Sequence, residues 1–147
     1  MRVLVQKVTE ASVTVGAYVV SRIEMGFVVF IGIEKGDTES QADFLAKKVS
    51  QLRIFEDENR KMNLSLSDVG GEILVVSQFT LAGDTSRGNR PGFGTAACPE
   101  EAEPLYEYFV QKLKDEGCLV KTGIFQTDMK VSLINNGPTT FVLEKKG

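Results

Sequence analysis

The run Phe27-Val28-Val29-Phe30-Ile31-Gly32-Ile33 constrains the fold more than any other stretch, because it has no polar face to offer to water. A short, continuous apolar run of this kind predicts a strand buried on both faces, flanked by other strands and covered above and below. The rest of the chain supplies candidates for both roles. Arg2 to Val8 alternates as a strand, and Ala11–Val15 and Tyr18–Val20 flank Gly16-Ala17 as the arms of a hairpin. Ile73 to Leu81 reads as a second buried strand. Three further strands are predicted near Leu119–Ile124, Met129–Ile134 and Thr140–Leu143.

Only two stretches have helical period. Thr38 and Gln41 have capping-box spacing ahead of the stripe Ala42, Leu45, Ala46, Val49, Leu52, which predicts a helix over Thr38–Leu52. The second runs over Pro99–Glu116. Pro99 suits a first turn, Glu100 and Glu101 favour the positive end, and Gly117 is a natural stop. Its stripe is Ala102, Leu105, Tyr106, Phe109, Val110 and Leu113. Strands outnumber helices and come in runs, so the fold class is mixed α/β (α+β), with a barrel-like sheet and two main helices. At 147 residues this is a single domain over 1–147. A domain of that size buries roughly 70% of its unfolded surface without staples.

The composition removes more chemistry than it suggests. There is no histidine, which excludes the usual general base, the Ser-His and Cys-His dyads, and most zinc sites. The two cysteines, Cys98 and Cys118, lack metal or redox spacing and read as reduced thiols. Carboxylates alone would have to build a metal site, and no clustered set stands out. Catalysis without metal or cofactor is the expectation. The start has no signal-peptide pattern and no apolar run approaches the roughly 20 residues of a membrane span, so a cytoplasmic protein is expected. A net charge of −3 argues against nonspecific coating of nucleic acid, although one end of an RNA could still be gripped locally.

Three segments break the plain structural pattern. Ser77-Gln78-Phe79-Thr80 puts polar side chains straight after a buried run. It is either a strand emerging at the surface or a set of hydroxyls, an amide and an apolar wall that position a carbonyl. Ala82 to Cys98 is a long loop carrying Arg87 and Arg90, which either meet phosphates or are simply solvated. Asn135-Asn136-Gly137-Pro138-Thr139-Thr140 has the composition of a tight turn between two strands.

Together with Leu52-Arg53-Ile54-Phe55-Glu56-Asp57, Lys61-Met62-Asn63-Leu64-Ser65 and Gly88-Asn89-Arg90-Pro91, these segments resemble the D-aminoacyl-tRNA deacylase family along nearly the whole chain. The resemblance implies a homodimer that hydrolyses the ester of D-aminoacyl-tRNA. Gly137 and Pro138 would form a cis corner, inserted into the partner's site as the chiral selector. Ser77, Gln78, Phe79 and Thr80 would be the catalytic run facing it, with Phe125 and Met129 near the terminal adenosine. The implied partners are the acceptor end of aminoacyl-tRNA and a second copy of the chain, not DNA or a membrane. Thr139 stands where the family more often has valine, and Ala82 where an aromatic is frequent. Both departures concern fine specificity.

The ester is already activated, so positioning plus one or two oxyanion donors could suffice. Thr80 as a covalent nucleophile has no base beside it in sequence. The resemblance favours water activated with help from the ribose 2′-OH. Rigid carbonyls at Gly137-Pro138 would exclude an L side chain while admitting glycine. Three rivals remain: a noncatalytic nucleic-acid-binding module, with Arg87, Arg90 and Phe79 as contacts, a general small-molecule esterase, which the missing G-x-S-x-G elbow disfavours, and a purely structural dimeric protein.

Overall fold

In the computed structural model, which describes residues 1–147, the chain runs through β1 (Arg2–Val15), β2 (Tyr18–Ile23), β3 (Gly26–Gly32), α1 (Glu39–Gln51), β4 (Phe55–Glu56), β5 (Met62–Leu64), α2 (Leu66–Val69), β6 (Glu72–Ser77), α3 (Pro99–Asp115), β7 (Leu119–Thr122) and β8 (Lys130–Glu144). A 3₁₀ turn, Phe79–Ala82, follows β6. The main sheet has the order β2-β1-β3-β6-β7, with β8 on the remaining edge of β1. β3 pairs antiparallel with β1 and parallel with β6.

Burial of β3 on both faces accounts for its unbroken apolar sequence. Phe27, Val29 and Ile31 join the larger core with Ile73 and Val75 of β6 and the inner stripes of α1 and α3. Val28 points the other way, into a smaller core with Leu74, Val76, Val8, Ala11, Val13 and Ile23. The second core exists because β1 bends. Its first half pairs with β3 and its second half with β2, and a register shift around Val8 moves its inward-facing residues from one face to the other. β2 then swings toward β7, where Ser21 Oγ donates to the Thr122 carbonyl and Lys121 Nζ to the Arg22 carbonyl at 2.7 Å. The sheet is thus a nearly closed barrel, filled by the second core and covered on one outer side by the helices.

The capping box at Thr38 forms as its spacing predicts: the Thr38 backbone N–H donates to Gln41 Oε1 at 2.7 Å, and the Thr38 hydroxyl accepts from Ser40 N. The hairpin at Gly16-Ala17 also forms, with Val15 opposite Tyr18. Other elements differ from expectation. Arg2–Val8 and Ala11–Val15 are one 14-residue strand. The predicted strand over Ile73–Leu81 stops at Ser77. The predicted strand ending at Ile124 stops at Thr122, and Gly123 N closes onto the Val75 carbonyl at 3.1 Å. The hairpin β4–β5 and the single turn α2 are additional.

The largest correction concerns Asn135 to Thr140. It is no reversal between two strands but a bulge within the 15-residue β8. β8 pairs with β1 on both sides of the bulge, Gln6 opposite Thr140 and Val8 opposite Asn135, so four residues, 136 to 139, are looped out against Lys7. The chain goes on in the same direction because β1 is long enough to template both limbs.

Candidate functional site

Ser77 closes β6 and lies beside Ile31 in the parallel register. Gln78 N still donates to the Ile31 carbonyl at 2.7 Å, but Gln78 then turns the chain (φ −144, ψ 81) into the 3₁₀ segment. Two features hold that segment. Gly32, at the end of β3, leaves a seat: a Cβ there would come within 2.9 Å of Leu81 Cβ and 3.0 Å of the Gln78 carbonyl oxygen. From β1, Arg2 Nη1 donates to the Leu81 carbonyl at 2.8 Å, while Nη2 reaches Glu144 Oε2 at 3.3 Å. Arg2 Nε is buried without a partner, so the guanidinium is held by its two terminal nitrogens.

The turn leaves chemistry at its start. The N–H groups of Phe79 and Thr80, first in the 3₁₀ segment, find no acceptor within the chain. Gln78 Nε2 donates to Thr80 Oγ1. The Phe79 ring is 58% exposed and meets Phe93 edge-on at 5.2 Å.

Ser77, Gln78 and Phe79 form one wall of a cleft of about 560 Å³. Ile31 and Val76 belong to its floor, Ala97, Pro99 and Ala102 to the α3 side, and Phe125 to Met129 to the far wall. The structure therefore brings Ser77, Gln78, Phe79, Phe125 and Met129 together. Thr80 sits one residue beyond the lining, tied to it through Gln78. Gly123 makes room for Met129, whose Sδ would lie 2.6 Å from a Cβ at that position. Sequence reasoning missed Gln126, Thr127 and Asp128, which complete the far wall. Gln126 adopts φ 56, a conformation no residue-type signal announces, and Thr127 Oγ1 donates back to the Phe125 carbonyl at 3.2 Å. Arg2 and Gly32 were equally invisible, since their roles depend on long-range packing.

Asp128 is the one ionisable side chain in the lining. Behind the wall, Tyr106 tilts against Phe125 at 5.6 Å and donates its phenol to the Val75 carbonyl at 3.4 Å. Burial pushes the Tyr106 phenol up to about 12, so it stays protonated at neutral pH. No group of three or more Cys, Asp or Glu side chains is placed to hold a metal ion.

Gly137 and Pro138 do not line this cleft. They sit exposed in the β8 bulge, joined by a cis peptide. Asn135 braces the bulge: its Nδ2 donates to the Lys7 carbonyl at 2.9 Å and to the Thr139 carbonyl at 3.0 Å. Thr139 is 2% exposed and forms the buried foot of the corner. A Cβ on Gly137 would approach Asn135 Oδ1 to 3.2 Å. In the loop that leaves the 3₁₀ turn, Arg87 and Arg90 are exposed.

Residues 4–144 match the model of a family described as D-Tyr-tRNA(Tyr) deacylase. The D-aminoacyl-tRNA deacylase of Geotalea uraniireducens (strain Rf4) is 58% identical over 144 residues, covering 98% of this chain and 93% of the relative. That of Pelobacter propionicus is 54% identical over 145 residues, 99% of this chain and 100% of the relative. Among solved structures, the c-Myc DNA Unwinding Element Binding Protein superposes with a TM-score of 0.93 at 40% identity over all of both chains. A probable eukaryotic D-amino acid tRNA deacylase superposes with a TM-score of 0.80 over 97% of each chain; at 17% identity, that likeness concerns the fold.

Proposed function

The chain belongs to the D-aminoacyl-tRNA deacylase family, and on that premise we propose that its cleft hydrolyses the ester between a D-amino acid and the terminal ribose of tRNA, releasing both. The observation that carries this reading is the turn after β6. Ser77 Oγ stands at its start, two free N–H groups follow, and aromatic and thioether side chains line the cleft beside them. Preorganised donors of this kind stabilise charge developing on a carbonyl oxygen, and a single one can be worth about 10²–10³ in rate.

The chemistry fits a labile ester and a chain without histidine. Thr80 receives a hydrogen bond from an amide, and no base touches it. An unactivated hydroxyl is a weak nucleophile, which favours water as the attacking group, oriented with help from the ribose 2′-OH. Ser77, Thr80 and the two N–H groups would hold the scissile carbonyl. No metal or cofactor takes part in this scheme.

Chiral selection falls to Gly137 and Pro138. They are exposed, lie outside their own chain's cleft and project from β8, whose second edge is unpaired. That placement suits a homodimer in which each corner enters the partner's cleft. Its main-chain carbonyls, braced by Asn135, would fix the amino group and leave no volume for an L side chain. Glycyl-tRNA, with no side chain to exclude, would also be a substrate.

A noncatalytic nucleic-acid module remains the rival, given one relative named for a DNA unwinding element. The net charge of −3 weighs against duplex binding. No helix is long and apolar enough to cross a membrane, and the cytoplasm is the proposed site of action. Turnover separates the readings. The enzyme should deacylate D-tyrosyl-tRNA catalytically and leave the ethyl ester of free D-tyrosine nearly untouched. Stoichiometric tRNA binding without turnover would favour the module; equal cleavage of both esters would favour a general esterase.

A further inference from the structure

The loop from Gly83 to Cys98 plays no part in the chemistry above, yet it is built onto the cleft at both ends. It leaves from Ala82, the last residue of the turn that carries Phe79, and returns at Ala97 and Pro99, which line the cleft. It is also an ordered element. Asp84 and Gly92 exchange both backbone hydrogen bonds, at 2.7 and 2.9 Å, closing its tip into a small hairpin. Its base is tied to the start of the adjacent connection by Lys35 N to the Thr95 carbonyl at 2.8 Å and Ala97 N to the Ile33 carbonyl at 3.0 Å. Phe93, 40% exposed, rests edge-on against Phe79.

The charges on this element are arranged asymmetrically. Asp84, its only acid, has its carboxylate engaged by Ser86 N at 2.9 Å. Arg87 and Arg90 stand exposed at the tip, and neither forms an ion pair; Arg53 and Arg60 are likewise without one, whereas Arg2 and Arg22 are paired with glutamates. In a chain with a net charge of −3, two unpaired guanidinium groups stand three residues apart on one braced loop whose ends adjoin the cleft. A guanidinium presents a planar fork of donors that matches phosphate oxygens.

We propose that the hairpin tip of this loop is a phosphate clamp, in which Arg87 and Arg90 grip the sugar–phosphate backbone of the single-stranded acceptor end leading into the cleft, while Phe93 backs the Phe79 wall. This rests on the deacylase reading for the identity of the RNA. The contacts are to phosphates, so the clamp is indifferent to sequence and serves affinity rather than chemistry. It explains how an acidic protein holds a polyanion.

The test uses Arg87→Ala/Arg90→Ala and Arg87→Lys/Arg90→Lys in the full chain. It compares D-tyrosyl-tRNA with 3′-O-D-tyrosyl-adenosine, which lacks the preceding phosphates, and measures binding of uncharged tRNA at several salt concentrations. For the alanine pair, KM on the tRNA substrate should rise on the order of tenfold with kcat kept, and the adenosine ester should be cleaved as by the parent. The slope of log affinity against log salt should shrink by about 1.4, two contacts at about 0.7 each for single strands. The lysine pair should keep most of that slope. Unchanged tRNA affinity and slope in the alanine pair would overturn the clamp. If the parent binds tRNA but cleaves nothing, a reduced slope still supports the clamp, and the deacylase reading alone falls.

Discussion

A threonine attacks a carbonyl efficiently only when a base takes its proton, and the group bonded to Thr80 is the Gln78 amide, a donor. In the proposed scheme Thr80 accordingly positions rather than attacks. Thr80→Ala should lower kcat by about 10²-fold, the range for one lost donor, and leave measurable turnover. Complete loss with normal tRNA binding, or an acyl-enzyme trapped by rapid quench and mass spectrometry, would instead make Thr80 the nucleophile. Arg2 works one step further back, through the Leu81 carbonyl within the turn. Arg2→Met should loosen the turn, lowering kcat about tenfold by misplacing its donors, with little change in KM. Arg2→Lys, which can still reach one carbonyl, should recover part of the loss. A variant that only melts earlier, with kcat intact, would reduce Arg2 to a structural tie between β1 and β8.

The elements that position the site show what residue patterns can and cannot reveal. Phe27–Ile33 announced a strand buried on both faces because every residue had to leave water, and the Thr38 cap announced its helix because the bonds are local. Ser65 and Asp68 form another capping box, with Gly70 in the left-handed conformation behind it. That signal lay in the sequence, but four residues are too few for any period to support it. The 3₁₀ turn at Phe79 depends on Gly32 and Arg2, more than forty positions away, so Ser77–Leu81 reads locally as more strand. The Gly137-Pro138 bulge has the composition of a turn, and only the unbroken β1 beside it determines that the chain does not reverse. The seam of α3 on β6 carries a pH signature. An unfolded chain releases the Tyr106 proton near pH 10.0, whereas the fold holds it to about 12. Stability from this group is thus complete below pH 10 and lost as pH rises through 12. In urea unfolding, the parent should lose about 2 kcal/mol more than Tyr106→Phe between pH 9 and 12. Equal losses would mean that the phenol is solvated.

At the scale of the whole molecule, the barrel on the proposed reading separates two tasks. The cleft beside β6 and α3 is lined by Ser77, Gln78 and Phe79 at the turn that carries the free N–H groups, while the β8 bulge carries the Gly137-Pro138 corner outside it. One chain alone does not bring them together, which is why two copies are proposed. The proposed division would also explain how a protein without histidine can proofread. On that proposal, chemistry is left to a reactive ester and water, and discrimination to rigid main chain. Single-turnover deacylation of D-tyrosyl-, L-tyrosyl- and glycyl-tRNA under identical conditions tests that division directly. Exclusion of the L side chain predicts rapid release of D-tyrosine, measurable release of glycine, and L-tyrosyl-tRNA no faster than its spontaneous hydrolysis. Cleavage of L-tyrosyl-tRNA at the D rate, or complete resistance of glycyl-tRNA while D-tyrosine is released, would contradict it.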